Sequence, residues 1–262
     1  MESKKRLLEW DAQKQQRLTK KKKIDPLEKC WRSIKSSSKS RDKDFEIEKD
    51  FAYSLFVKNC VYCGSNKTPH SLDRINNKMG YVRNNVVPCC TRCNIMKSNW
   101  SVKDFIQACI NIQLHNSFTS MDIIDPRFSI QYKFEVNKDY KSSTYSVYQY
   151  NAWKKNINFE LDELGHRNLC SGNCVYCGRQ PTKNLKNGID RLNNNLGYVT
   201  GNMVSCCPRC NYMKLKISWV EFIIHCSRVG SYSGHRLYDS NGHTKSEREI
   251  RNTILKSLDN GP

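Results

Sequence analysis

Four Cys-x-x-Cys pairs, set out as the same unit twice, constrain this chain more than any other feature. Cys60 and Cys63 open a stretch that Cys90 and Cys93 close; Cys174 and Cys177 are followed in the same order by Cys207 and Cys210. Two such pairs suit one tetrahedral zinc ion with two sulfurs from each knuckle, so two structural zinc ions are expected. A unit of roughly 50 residues buries too little apolar surface to fold unaided, and metal-linked folding supplies the difference. The interiors also match. Leu72-Asp73-Arg74-Ile75, Gly80-Tyr81 and Asn85-Val86-Val87 correspond to Ile189-Asp190-Arg191-Leu192, Gly197-Tyr198 and Asn202-Met203-Val204. Each last cysteine is followed by Asn94 or Asn211, and three residues later by Lys97 or Lys214. The offset between repeats grows by three residues before Asp190, as a surface loop tolerates.

Charge narrows the partners. Lys and Arg number 44 against 25 Asp and Glu, a formal excess of +19. This is expected of a protein that neutralises phosphates and unusual for a metabolic enzyme; a plain gain in solubility is the alternative. No apolar run approaches the ~18 residues of a membrane span, and MESKKRLLEW lacks the apolar core of a signal peptide. The fourteen cysteines therefore read as metal ligands of an intracellular, reducing compartment, with no membrane partner. Eight lie in the knuckles. Cys30, Cys89, Cys109, Cys170, Cys206 and Cys226 read as small buried hydrophobes.

In chain order the expected organisation is a basic arm over 1–26, a first module over 27–115, a linker over 116–140, a second module over 141–231 and a tail over 232–262. The arm is either a solvated, partly helical segment or one that tracks phosphates, and Asp25-Pro26 ends it. In the first module a short helix around Cys30–Ile34 and a polar loop over Lys35–Lys43 lead to a helix over Phe51–Val57. A strand over Ser71–Ile75, a turn over Asn76–Gly80 and a return strand from Tyr81 to Val87 follow. A helix then begins at the second knuckle, supported by Pro208, and runs on through Phe105, Ile106, Cys109 and Ile110, matched by Phe222, Ile223 and Cys226. The fold class is α+β. Phe128, Tyr132, Phe134 and Tyr140 of the linker, with Tyr145, Tyr148, Tyr150 and Trp153 after it, either pack between the repeats or stack on bases. In the tail, Thr244 and Glu247 form a capping box for a helix through Ile250, Ile254 and Leu258, with no chemistry assigned.

Cys-x-x-Cys, an Asp-Arg strand, Gly-Tyr, Asn before a Val-rich strand, and Cys-x-x-Cys-Asn-x-x-Lys together resemble the zinc-stapled HNH endonucleases of the ββα-metal, or His-Me finger, fold. The resemblance covers about 45–115 and 159–230. It implies that Asp73 with Asn94, and Asp190 with Asn211, hold about one Mg²⁺ or Mn²⁺ per module, oxygen ligands suiting such ions. It also implies that Asn85 and Asn202 brace the loop between the strands; a plain turn role is the alternative. The family's histidine base is replaced by Arg74 and Arg191. Arginine does not deprotonate, but it binds phosphate and stabilises its developing charge. In this the chain resembles the Arg/Tyr subtype of rare-cutting restriction and homing HNH enzymes, with Tyr81 and Tyr198 in the site. Tyrosine orienting water, tyrosine deprotonating it, and hydroxide from bulk all stay open. His70 is a rival base in the first repeat, where the second has Asn187. Lys97 and Lys214 are expected to contact backbone phosphate, with a solvated helix face as the alternative; Arg83, Arg92, Arg179 and Arg209 read as surface charge. The implied activity is sequence-specific, metal-dependent cleavage of double-stranded DNA by two sites in one chain, a monomer acting as a pseudo-dimer. The alternatives are a zinc-dependent nucleic-acid-binding protein without catalysis, and an RNA-directed nuclease.

Overall fold

The computed structural model describes residues 10, 24–117, 143–183 and 185–259. The fold is mixed α+β, built twice. In the first repeat α1 (Pro26–Ser40) and α2 (Lys49–Phe56) precede the hairpin of β1 (Ser71–Arg74) and β2 (Val86–Cys89), followed by α3 (Thr91–Lys97) and α4 (Val102–Asn116). The second has α5 (Tyr145–Lys154), α6 (Glu163–Ser171), β3 (Gly188–Arg191), β4 (Met203–Cys206), α7 (Pro208–Lys214) and α8 (Trp219–Ser233). A 3-10 turn (Gly234–Leu237) and α9 (Glu247–Asp259) complete it. Both hairpins are antiparallel with one register: Asp73 lies opposite Val87, and Asp190 opposite Val204. The extra residues of the second repeat fall where Thr182 and Leu185 form an isolated bridge before β3. Most of the basic arm and of the linker, including Phe128, Tyr132, Phe134 and Tyr140, lies outside the described residues.

Several boundaries differ from the sequence reading for local reasons. Asp25-Pro26 starts a helix: the Asp25 side chain caps the Leu27 N–H at 3.1 Å and proline takes the first helical position. The polar stretch from Lys35 is helical as far as Ser40 because Ile34 and Ser38, four apart, share a buried face. The return strand is confined to Val86–Cys89, since Arg83–Asn85 form a 3-10 turn and Tyr81 makes a bridge to Phe45. The helix at each second knuckle is two helices. Ser98 (φ 50°) and Leu215 (φ 52°) break it, and Ser101 and Ser218 cap the longer second piece. The tail helix starts two residues later than expected. Its capping box is Ser246 with Glu249, whose N–H donates to Ser246 Oγ at 3.3 Å while Ser246 N–H donates to the carboxylate at 2.7 Å.

The two repeats meet through α4 and α8, and the contacts are reciprocal. Asn116 Nδ2 donates to the Tyr176 carbonyl at 2.7 Å, and its counterpart Ser233 Oγ donates to the Tyr62 carbonyl at 2.8 Å. The counterparts Cys109 and Cys226 touch one another, as residues on a two-fold axis must. One apolar cluster runs through both repeats, joining Phe105, Ile106 and Cys109 to Phe222, Cys226 and Val229. Smaller clusters remain private: Ile34, Leu55, Phe56 and Leu72 in the first repeat, and Tyr148, Leu161 and Ile189 in the second. Of the six additional cysteines, Cys30 is half-buried and the other five are buried.

The tail is part of this core. Ile250 and Ile254 are fully buried in the shared cluster, Tyr238 donates to Gln107 Oε1 at 3.1 Å, and Arg251 binds the Asn84 carbonyl. Helix α9 thus leans on the first repeat and breaks the internal symmetry. Ile254→Ala is expected to destabilise the zinc-loaded chain by about 2–5 kcal/mol. Ile224→Ala, at an exposed position of α8, should cost less than about 0.5 kcal/mol. Denaturant titration compares the two, and a small loss at Ile254 would show the tail to be peripheral.

Candidate metal centres and active site

Each knuckle is built by backbone hydrogen bonds that turn the chain around its sulfurs. Gly64 donates to the Cys60 carbonyl at 2.9 Å and Gly178 to the Cys174 carbonyl at 2.8 Å. The two glycines have φ of 68° and 71°, where a side chain is strained. At the helix starts, Cys93 and Cys210 donate their N–H to Cys90 Sγ and Cys207 Sγ at 3.4 Å. Among the described residues, Cys60, Cys63, Cys90 and Cys93 form one cluster and Cys174, Cys177, Cys207 and Cys210 a second, each with its sulfurs within 4.8 Å of one another. Sulfurs placed tetrahedrally at about 2.3 Å from an ion stand roughly 3.8 Å apart. Cys63–Cys90 measures 3.7 Å and Cys177–Cys207 3.8 Å, so both clusters fit zinc. The first has an outer partner from the other repeat: His225 of α8 places Nε2 3.1 Å from Cys93 Sγ. Burial, helped by the Arg92 charge, holds this imidazole down at about 4, hence neutral near pH 7 with one ring N–H to give.

Beside each cluster lies a buried group of three. Asp73 on β1 accepts from the Tyr62 hydroxyl at 2.6 Å and pairs with Lys97 Nζ, 3.2 Å from Oδ1 and 3.0 Å from Oδ2. Lys97 also donates to the Arg74 carbonyl at 3.1 Å. Asp190, Tyr176 and Lys214 repeat this, with 2.6 Å from the hydroxyl, 3.4 and 3.0 Å from the ammonium, and 2.9 Å from Nζ to the Arg191 carbonyl. Both lysines are 0 % exposed, and the aspartates 3 % and 4 %. Lys97 and Lys214 therefore do not face phosphate, as the sequence reading expected. At i+4 from Cys93 and Cys210 they lie on the buried face of α3 and α7, where the carboxylate and a backbone carbonyl stabilise the ammonium. Burial pushes the Asp73 carboxyl up, and Lys97 is the largest opposing influence. Tyr62 and Tyr176 were missed in the sequence. The available signal was that Cys-Val-Tyr-Cys-Gly occurs at both first knuckles.

The other candidates surround this group. Arg74 Nη1 donates to the carbonyls of Met79 (3.1 Å) and Asn77 (3.4 Å), and its guanidinium lies 5.4 Å from the Tyr81 ring centre. Arg191 does the same with Leu196 (2.6 Å), Asn194 (3.2 Å) and Tyr198 (5.3 Å). Burial pushes the Tyr198 phenol up, with Arg191 opposing. Asn85 accepts from Asn76 N–H and donates to the Asn76 and Gly80 carbonyls, closing the loop between the strands; Asn202 does so with Asn193 and Gly197. Asn94 and Asn211 commit Nδ2 to the carbonyls of Leu72 (3.3 Å) and Ile189 (3.4 Å), so that Oδ1 is the atom that could hold an ion. His70 is turned away. Its Nε2 lies 2.7 Å from the Ser65 carbonyl, and in the second repeat Asn187 donates to the equivalent carbonyl of Arg179 at 3.2 Å. The shared contact braces the first knuckle, so His70 is not placed as a base. Of the remaining arginines, Arg209 is buried, not on the surface, 3.6 Å from the Trp100 ring centre.

In the first repeat these groups border an open cleft of about 900 Å³. Asp73, Arg74, Tyr81 and Asn94 line it, as do Lys29 and Arg41 of the α1 segment and Tyr212 from the second repeat. The sequence reading assigned no role to these last three, whose approach depends on tertiary packing. A divalent ion can be tested against the donors. A carboxylate has about four lone-pair sites. Lys97 takes one on each oxygen of Asp73 and Tyr62 one on Oδ2, so a single site on Oδ1 remains, and Asn94 lines the same cleft. One carboxylate and one amide oxygen, the rest water and phosphate, fit Mg²⁺ or Mn²⁺, which keep several waters.

No protein-family model and no solved structure matches the chain. An uncharacterized protein of Acanthamoeba polyphaga mimivirus is 30% identical over 252 residues, a match covering 88% of this chain and 46% of that protein. The chain thus spans about half the length of the curated relative it matches.

Native mass spectrometry of the reduced, folded protein is expected to give about two zinc ions per chain, and strong chelation to abolish its helical circular dichroism. A folded chain containing no metal would refute the zinc assignment.

Proposed function

We propose that the chain is a zinc-stapled, HNH-type endonuclease that hydrolyses phosphodiester bonds of double-stranded DNA, with one site in each repeat. The observation that carries the reading is the double occurrence of one arrangement. Aspartate and arginine from a first strand, tyrosine after the turn and asparagine from the knuckle helix meet in the same register. In the first repeat they line a cleft edged by Lys29 and Arg41, and the chain carries +19 overall. The strands of a duplex are related by local two-fold axes, so two sites related by an internal two-fold suit one cut in each strand by a single chain.

In this reading Arg74 binds the scissile phosphate and stabilises its developing charge, because the Asn77 and Met79 carbonyls and the Tyr81 ring hold its guanidinium in place. Asp73 and Asn94 hold the divalent ion, which supplies a Lewis acid for the leaving 3′ oxygen when bound. Asn85 keeps the strand loop closed, fixing Tyr81 relative to Arg74. Arg191, Tyr198 and Asn202 repeat these roles in the second site. The raised pKa of Tyr198 leaves it a neutral phenol near pH 7. In this reading the tyrosine of each site orients water, and, with His70 and Asn187 both engaged with the knuckle carbonyl, the nucleophile is hydroxide from bulk. A second reading, a nucleic-acid-binding protein without catalysis, is favoured by one observation: Lys97 and Lys214 neutralise both aspartates.

Supercoiled plasmid with Mg²⁺ discriminates between them. The wild type should linearise it; Arg74→Ala and Arg191→Ala should each leave a nickase of opposite strand, slowed at its own site by about 10²–10³. The double variant should bind but not cut. A wild type that binds without nicking would establish the second reading, and cutting of RNA alone would change the substrate. Affinity for duplex should also fall by more than about tenfold between about 50 and 200 mM salt, as counterion release requires. Salt-independent binding would contradict a phosphate-contacting surface.

A further inference from the structure

The ion pairs at Asp73 and Asp190 bear on when a divalent ion can bind. Around Asp73 the charges are one carboxylate (−1), the buried ammonium of Lys97 (+1) and the adjacent guanidinium of Arg74 (+1), a formal sum of +1. The Asp190, Lys214 and Arg191 group has the same composition. Metal sites that bind Mg²⁺ or Mn²⁺ on their own gain affinity from an excess of ligand charge. Here the carboxylate of Asp73 or Asp190 is already neutralised at 3.0 Å by a side chain that is 0 % exposed, where solvent screens little.

Resting on the endonuclease reading, we propose that Lys97 and Lys214 make divalent-ion binding conditional on substrate. Summed over these three side chains, the free protein offers no net negative charge to attract the ion at either site. A phosphodiester seated on Arg74 or Arg191 brings the missing charge and two free oxygens, and only then does the remaining lone pair of Asp73 or Asp190 complete a site. Tyr62 and Tyr176 reinforce this by occupying Oδ2, so the carboxylate cannot turn to offer both oxygens. These are positioning roles. The lysines and tyrosines act through the aspartate and do not touch the substrate.

The test reads metal binding, not cleavage. Mn²⁺ is titrated into the zinc-loaded full chain and followed by the loss of the free-ion electron paramagnetic resonance signal. The titration is repeated with a dinucleotide carrying a single phosphodiester, corrected for the dinucleotide alone. The wild type is expected to bind Mn²⁺ only in the presence of the dinucleotide, to about two ions per chain. Lys97→Gln with Lys214→Gln keeps a donor to each carboxylate but removes the charge, and should tighten Mn²⁺ binding to the free protein by at least about tenfold. Adding Asp73→Asn and Asp190→Asn should abolish that gain. Should the lysine variants fail to fold, paramagnetic broadening of the Asn94 and Asn211 side-chain amides in the wild type, with and without dinucleotide, decides the question alone. Uptake of about two Mn²⁺ by the free wild type, lost on Asp73→Asn with Asp190→Asn, would overturn the lysine role while leaving a metal-dependent nuclease intact. Absence of binding under every condition would overturn both the conditional site and the metal-dependent part of the functional reading.

Discussion

The pairing of two cysteine knuckles around one tetrahedral centre is the constraint on which each repeat depends. A four-residue hairpin cannot stand alone in water, and the helix that follows it here has seven residues. Joining the turn before the hairpin to the helix after it closes a loop whose ends would otherwise cost entropy to hold. The joint also sets a side chain. Tyr62 lies between Cys60 and Cys63, so the geometry that gathers four sulfurs also aims a phenol at Asp73. On the far side, Lys97 lies one helical turn after Cys93 and meets the same carboxylate. The zinc centre and the candidate active site are thus successive layers of one construction.

The second level is the contact between repeats. α4 and α8 bury their apolar faces on each other, and reciprocal hydrogen bonds from Asn116 and Ser233 tie each helix end to the other repeat's first knuckle. Because the tie is made at the carbonyl of the tyrosine that holds the aspartate, the interface and the two candidate sites are one mechanical unit. His225 adds a one-sided link, from α8 to Cys93, for which the first repeat has Ala108 at the corresponding position. With α9 docked against α4 of the first repeat, the chain keeps two-fold order near its axis and departs from it outward.

How much of this the sequence carried depends on how local the cause was. The cysteine clusters follow from short-range spacing repeated twice and were legible; the place of Asn85 and Asn202 between the strands was what the family resemblance implied, and the hairpin register, with Asp73 opposite Val87, was not read. The length of α1 was not legible, since its polar residues hide a two-residue buried face that only tertiary packing, Ile34 against α2 and β1, defines. The burial of Lys97 was in principle readable. Cys93, Met96 and Lys97 share one face of α3, and a lysine four residues after a buried cysteine points inward with it. It was misread because lysine is almost never fully buried unless paired, and the partner, Asp73, lies 24 residues earlier. The docking of the tail on α4 and the approach of Tyr212 to the first cleft are long-range contacts that no local pattern encodes.

A chain that builds one unit twice contains its own control. Where the repeats place different residues in the same contact, the contact is what matters: His70 and Asn187 both hold the knuckle carbonyl, so neither imidazole basicity nor ring shape is required there. Where identical residues make identical contacts, the chemistry of the side chain is needed. Asp, Lys and Tyr meet with the same partners in both repeats, within a few tenths of an ångström. The proposed endonuclease reading accounts for this. A buried ion pair is often no more stable than well-packed apolar residues of similar volume, while loss of one partner costs about 3–5 kcal/mol. Two such pairs, each beside an arginine held over a tyrosine ring, are an expensive way to pack a small core. In the proposed reading they keep one carboxylate per site charged, oriented and with a single lone pair left open.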